Sequence, residues 1–159
     1  MEMSEKKLVE QQIKIENNFT SGANWFFWIA GLSLVNSATS LSGSSMNFVI
    51  GLSTTQFIDA VASGIPGPYS TMFTMIAIML DLGFAGLFFV FGILARRRSR
   101  AGFVLGMIFY GFDSLLLLLI GSIIGIVFHV LALVFIFTGL RALQKLEKQA
   151  SAAPAPSPS

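Results

Sequence analysis

The chain has 159 residues, of which 54% are hydrophobic and 11% charged, with a mean hydropathy of +0.76 and a formal net charge of +2. A water-soluble domain of this size cannot hide so much apolar surface, so the composition implies a membrane as solvent. Without cysteine there are no disulfides, thiolate metal sites or thiol catalysis, a single histidine argues against a zinc enzyme, and no phosphate loop or basic, aromatic-interleaved segment points to nucleic acid.

Residues 1–21 are polar, with Glu5, Lys6, Lys7, Glu10, Lys14 and Glu16 around a sparse apolar set of Leu8, Ile13 and Ile15. Two readings fit this segment, a short amphipathic helix on the cytoplasmic surface or a frayed tail. The first hydrophobic segment, about 24–41, opens with Trp25-Phe26-Phe27-Trp28, an aromatic cluster suited to the headgroup boundary. Ala30, Ser33, Ser37 and Ser40, with Asn36 beside them, then fall on one face, so this helix carries a polar stripe that should face protein. A cleaved signal peptide is a rival reading, opposed by the long acidic stretch that precedes the segment.

Residues 42–70 are rich in Gly and Ser around an apolar island, 46–62, interrupted by Thr54, Thr55, Gln56 and Asp59. Such a segment is marginal for crossing about 30 Å of hydrocarbon, so an interfacial or re-entrant helix is expected. Ile65-Pro66-Gly67-Pro68 breaks it and sets up the next helix. Three strong segments follow at about 69–95, 101–120 and 122–143, the last two forming a tight hairpin around Gly121-Ser122. The Ala/Pro/Ser-rich tail, 146–159, is expected to be disordered and cytoplasmic.

All ten Lys and Arg residues fall in the N-terminal segment, in the run Arg96, Arg97, Arg98 and Arg100, or at Arg141, Lys145 and Lys148. Basic residues resist translocation, so four spans put both termini and the arginine run in the cytoplasm. Five spans, with 46–62 crossing, would move three lysines outside. The arginine run also suits anionic lipid headgroups. The expected fold is therefore all-α, a four-helix transmembrane bundle over 22–145 in a cell membrane, a bacterial inner membrane being the assumed source.

Three ionisable groups fall inside the expected spans: Asp81, Asp113 and His129. Each is costly in hydrocarbon and needs a partner or an aqueous cavity. Asp113 lies eight residues before Gly121 and His129 eight after it, so the hairpin brings them to equal depth, about 12 Å below the turn. Asp81 falls within about a turn of that depth. Tyr110 sits one helical turn from Asp113. Small residues share these faces: Thr74, Ala77 and Ala85 with Asp81, Gly102 and Gly106 with Tyr110, Gly125, Ala132 and Gly139 with His129.

Two readings compete for these groups. One is structural, with Asp113 bonding His129 and Asp81 bonding Thr74, Asn36 or Ser37. The other is a proton or ion site built from Asp81, Asp113, His129 and Tyr110. Serine-based catalysis and a metal at Asp81, Asp113 and His129 lack any supporting motif or spacing. The chain is expected to be a non-enzymatic accessory, assembly or scaffold component without a cofactor, partnered by the bilayer and by a second copy or another membrane protein. The alternative is a small proton- or ion-linked transporter or channel.

Overall fold

The structure, a computed structural model, describes residues 2–42, 52–120 and 122–152. These form five α-helices: α1 (Glu2–Leu41), α2 (Ser53–Ser63), α3 (Ser70–Arg96), α4 (Arg100–Ile120) and α5 (Ile123–Ala152). The described residues contain no strand. Helices α3, α4 and α5 are long and apolar enough to cross a membrane.

The polar N-terminal segment and the first hydrophobic segment are one continuous helix of 40 residues, about 60 Å long. This replaces the expectation of a separate surface helix or frayed tail. No proline interrupts residues 2–41, and the Glu10 and Lys14 spacing is the favourable i,i+4 order. At the other terminus α5 runs on to Ala152, so residues 146–152 are helical where disorder was expected. Leu143 and Leu146 are buried there and extend the core. The rest of the tail, 153–159, lies outside the described residues.

Local chemistry explains the breaks. At the end of α3 the amides of Arg97, Arg98 and Ser99 bond back to Ile93, Ala95 and Leu94, with Arg98 in the left-handed region at φ 59°. Ser99 and Ser122 then cap α4 and α5, each hydroxyl accepting from the amide three residues on, Gly102 and Gly125, at 3.3 Å.

Helix α1 runs antiparallel to both α3 and α5. Phe27 meets Gly92 and Phe89 while Ser37 meets Asp81, and Gly22 meets Gly139 while Trp25 stacks on Phe135. Close approach is built from glycines. A Cβ on Gly22 would fall 2.5 Å from Gly139 Cα, and a Cβ on Gly106 would fall 2.3 Å from the Phe26 ring. Phe26 therefore seats in α4 where a larger residue would stand, among Phe88, Phe91 and Phe103. In lipid there is little hydrophobic drive between helices, so such contact packing holds the bundle.

Helix α2 packs against α1, α3 and α4. Its first turn is inserted among them: Leu52, Ser53 and Thr55 are buried. Farther along the helix Phe57 and Val61 are exposed. The first part of the island, 46–51, lies outside the described residues.

Candidate functional site

The polar residues expected on interior faces are buried: Ser33, Asn36, Ser37, Asp81, Asp113 and His129. They form two separate groups.

The first group is built on the α4–α5 hairpin. His129 Nε2 lies 2.9 Å from Asp113 Oδ2, the contact that the equal offsets from Gly121 predict. His129 Nδ1 donates to the Gly125 carbonyl at 3.0 Å. A carbonyl only accepts, so Nδ1 carries a proton and a second proton lies between Nε2 and Oδ2. Whichever atom holds that proton, the pair has no net charge, which removes the main cost of placing it in a low-dielectric interior.

Asp113 also holds the start of α2. Its Oδ2 accepts from the Ser53 amide at 2.8 Å, and its Oδ1 accepts from the Thr54 amide and hydroxyl at 2.8 and 2.5 Å. One residue earlier, the Leu52 amide donates to Ser33 Oγ at 2.8 Å, and Ser33 donates onward to the Ile29 carbonyl. A helix N-terminus exposes amides without intrahelical acceptors and carries a positive partial charge. For α2 those amides are satisfied by side chains of α1 and α4. With His129 included, four donors occupy the four lone-pair positions of the Asp113 carboxyl group.

Tyr110 completes this group. Its ring stacks on the His129 imidazole with centroids 4.2 Å apart and planes 10° apart, and meets Phe88 edge-on. The tyrosine is fully buried, yet its hydroxyl has no hydrogen-bond partner. It acts here through its ring face and makes no bond to Asp113. Asp113 and Thr54 border a groove of about 270 Å³ whose other walls are Leu52, Phe84, Phe88, Phe109, Phe112 and Leu116.

The second group sits between α1, α2 and α3. Ser37 donates to Asp81 Oδ2 at 2.6 Å, one of the three partners expected for this carboxyl. Thr74, another of them, instead donates to the Ser70 carbonyl. Asp59 of α2 lies close enough to interact with Asp81 directly. Asp81 Oδ1 has no hydrogen-bond partner. Asp81 makes no described bond to Asp113 or His129, so the expected three-membered cluster divides into an Asp113–His129 pair and an Asp81–Asp59 pair. Among the described residues, no three of His, Asp and Glu converge in a way that could hold a metal.

Sequence reasoning missed the parts played by Ser53, Thr54 and Asp59; Thr54 and Asp59 were read only as interruptions of an apolar island, and Ser53 was not singled out. Ser53-Thr54-Thr55 ahead of Phe57-Ile58 carries a helix-start signal. The acceptor for that start is 59 residues away on α4 and leaves no local trace.

Of the arginine run, Arg96 donates to Asn24 at 3.0 and 2.6 Å, Arg98 pairs with Glu16 at 2.9 Å and Arg100 pairs with Glu147. Arg96 and Arg98 also lie over the rings of Phe27 and Phe19. Arg97 is exposed and bonds no described side chain. Three of the four cations are thus engaged with the middle of α1 and the C-terminal part of α5. Compared with models of known protein families, with curated proteins and with solved structures, the chain matches none.

Proposed function

We propose that the chain is a four-span membrane protein, with α1 as the fourth span and α2 as a re-entrant helix, that serves as a non-enzymatic structural or assembly component of a cell membrane. Antiparallel packing of α1 along α3 and α5, from Phe27 to Ser37, supports the fourth span. Trp25 and Arg96 mark its cytoplasmic end. The α2 amides bonded by Ser33 and Asp113 support re-entry, because irregular backbone at membrane depth is tolerated only where protein satisfies it. Both termini and the arginine run lie in the cytoplasm by the distribution of basic residues. Arg97, free of side-chain partners, is then the residue of the run available to anionic lipid.

The observation that carries a structural role is the saturation of Asp113. A carboxyl group whose four lone-pair positions are taken by Ser53, Thr54 and His129 has no position left for a substrate, and the groove beside it is walled by apolar side chains unsuited to a hydrated ion. The test is paired measurement on purified protein of the Asp113→Asn variant, melting in detergent and proton flux in liposomes. Lowered melting without a flux phenotype is expected. Intact melting with flux lost relative to an active wild type would reverse the assignment.

A second reading, a small proton-linked carrier, is favoured by the other group. Asp81 keeps one buried oxygen unpartnered beside a second carboxyl group. Under this reading flux depends on Asp81 and not on Asp113, which the same liposome assay with Asp81→Asn distinguishes.

A further inference from the structure

Asp59 and Asp81 stand on different helices, four residues before the end of α2 and eleven residues into α3. Asp81 is 2% exposed, and its two oxygens differ: Oδ2 accepts from Ser37, while Oδ1 has no partner. Asp59 faces this carboxyl group closely enough to interact with it. Near the two aspartates in sequence, Ile58 and Ala62 of α2 and Ala77 and Leu80 of α3 line the seam between the two helices.

Two ionised carboxylates repel, and both are acceptors only, so they can bond each other only through a proton. No basic residue is placed to neutralise them. The ten Lys and Arg residues lie in the N-terminal half of α1, at the α3–α4 turn and beyond residue 140 on α5. From α1 the group that meets Asp81 is the neutral Ser37, and Asn36 beside it in the sequence is also neutral. On α4 and α5 the interior titratable groups are Tyr110, Asp113 and His129, of which the last two are bonded to each other.

We propose that Asp59 and Asp81 form a proton-binding carboxyl pair, the proton held between Asp59 and Asp81 Oδ1 while Ser37 bonds Oδ2. The pair is a site distinct from the Asp113 clamp and does not depend on it. It rests on the membrane placement of α2 and α3, which cysteine labelling tests separately.

The experiment uses the wild-type protein in liposomes and a membrane-permeant hydrophobic carbodiimide, which forms a stable N-acylurea from a protonated carboxylic acid. Adduct positions are mapped by mass spectrometry over a pH series. The expected result is an adduct on Asp59 or Asp81 at neutral pH. Its initial rate should fall roughly tenfold per pH unit once the pair begins to titrate, as the protonated fraction does. Prior substitution of either partner, Asp59→Asn or Asp81→Asn, should change the pH at which the remaining carboxyl reacts. Absence of adduct on both residues across the series overturns the proposal. Labelling whose rate does not change over the pH series also overturns it, because the reacting carboxyl group then does not exchange its proton with the medium. Since the primary readout is on the wild type, a variant that fails to fold does not remove the test.

Discussion

Asp113 and Thr54 are 59 residues apart in the chain, and both the amide and the hydroxyl of Thr54 donate to the same carboxyl oxygen of Asp113. A side chain of α4 therefore performs the capping role that a helix start normally takes from its own neighbours. The same carboxyl holds His129, so α2, α4 and α5 are tied at one point.

Removing the carboxyl group should cost more than an ordinary capping bond. Asp113→Asn keeps the shape but sets a donor against amides and imidazole, and a loss of about 3 kcal/mol is expected, the scale for breaking one side of a buried pair. With His129→Gln and the double variant, the coupling should be about 1 to 3 kcal/mol. Melting in detergent of all four proteins provides the cycle. Additive effects would mean that the contact contributes nothing of its own.

Tyr110 separates ring from hydroxyl. The hydroxyl is buried without a partner, so Tyr110→Phe should leave stability unchanged or raise it by up to about 1 kcal/mol. Tyr110→Ala removes the stack on His129 and should cost about 3 to 5 kcal/mol. Circular-dichroism melts distinguish the two. A large loss for the phenylalanine variant would assign the hydroxyl a bond and a role.

Glycine positions give a contrast with an internal control. Gly22→Ala drives a methyl to 2.5 Å from Gly139 Cα and should destabilise by about 1 to 3 kcal/mol, with separation of α1 from α5. At Gly31 a methyl meets no atom within 4 Å. Gly31→Ala should be neutral or slightly stabilising because alanine favours the helix. Equal effects at both positions would contradict the α1–α5 crossing.

What could be read from the sequence depended on whether a partner was local. The Asp113–His129 contact was legible because a two-residue turn fixes the register of a hairpin, and equal offsets from Gly121 set equal depth. The buried stripes on α3, α4 and α5 followed from helical spacing of small residues. The division of the polar interior into two groups was not legible, because Asp59 reaches Asp81 through the tertiary position of α2. The continuity of α1 was within reach, since residues 2–41 contain no proline. The change from polar to apolar composition near residue 22 suggested a boundary where the backbone has none.

The natural absence of cysteine makes topology directly measurable. With a membrane-impermeant maleimide on intact cells, Gly64→Cys is expected to label from outside, while Arg97→Cys and Ala150→Cys should label only after the membrane is opened. Ser53→Cys should resist labelling in both conditions because its position is 1% exposed. External labelling at 97 would remove the proposed orientation, and rapid labelling at 53 would remove the buried entry of α2.

Hydrogen exchange tests the central claim, that Asp113 fixes the start of α2. In wild type the peptide covering Leu52 to Ser63 should be protected. In Asp113→Asn it should exchange roughly 100-fold faster, as a loss of about 3 kcal/mol in local stability requires. Peptides from α3 and the C-terminal half of α5 should keep their protection. Unchanged protection of α2 in the variant would contradict the account, because the carboxyl would then not be what holds the helix in place.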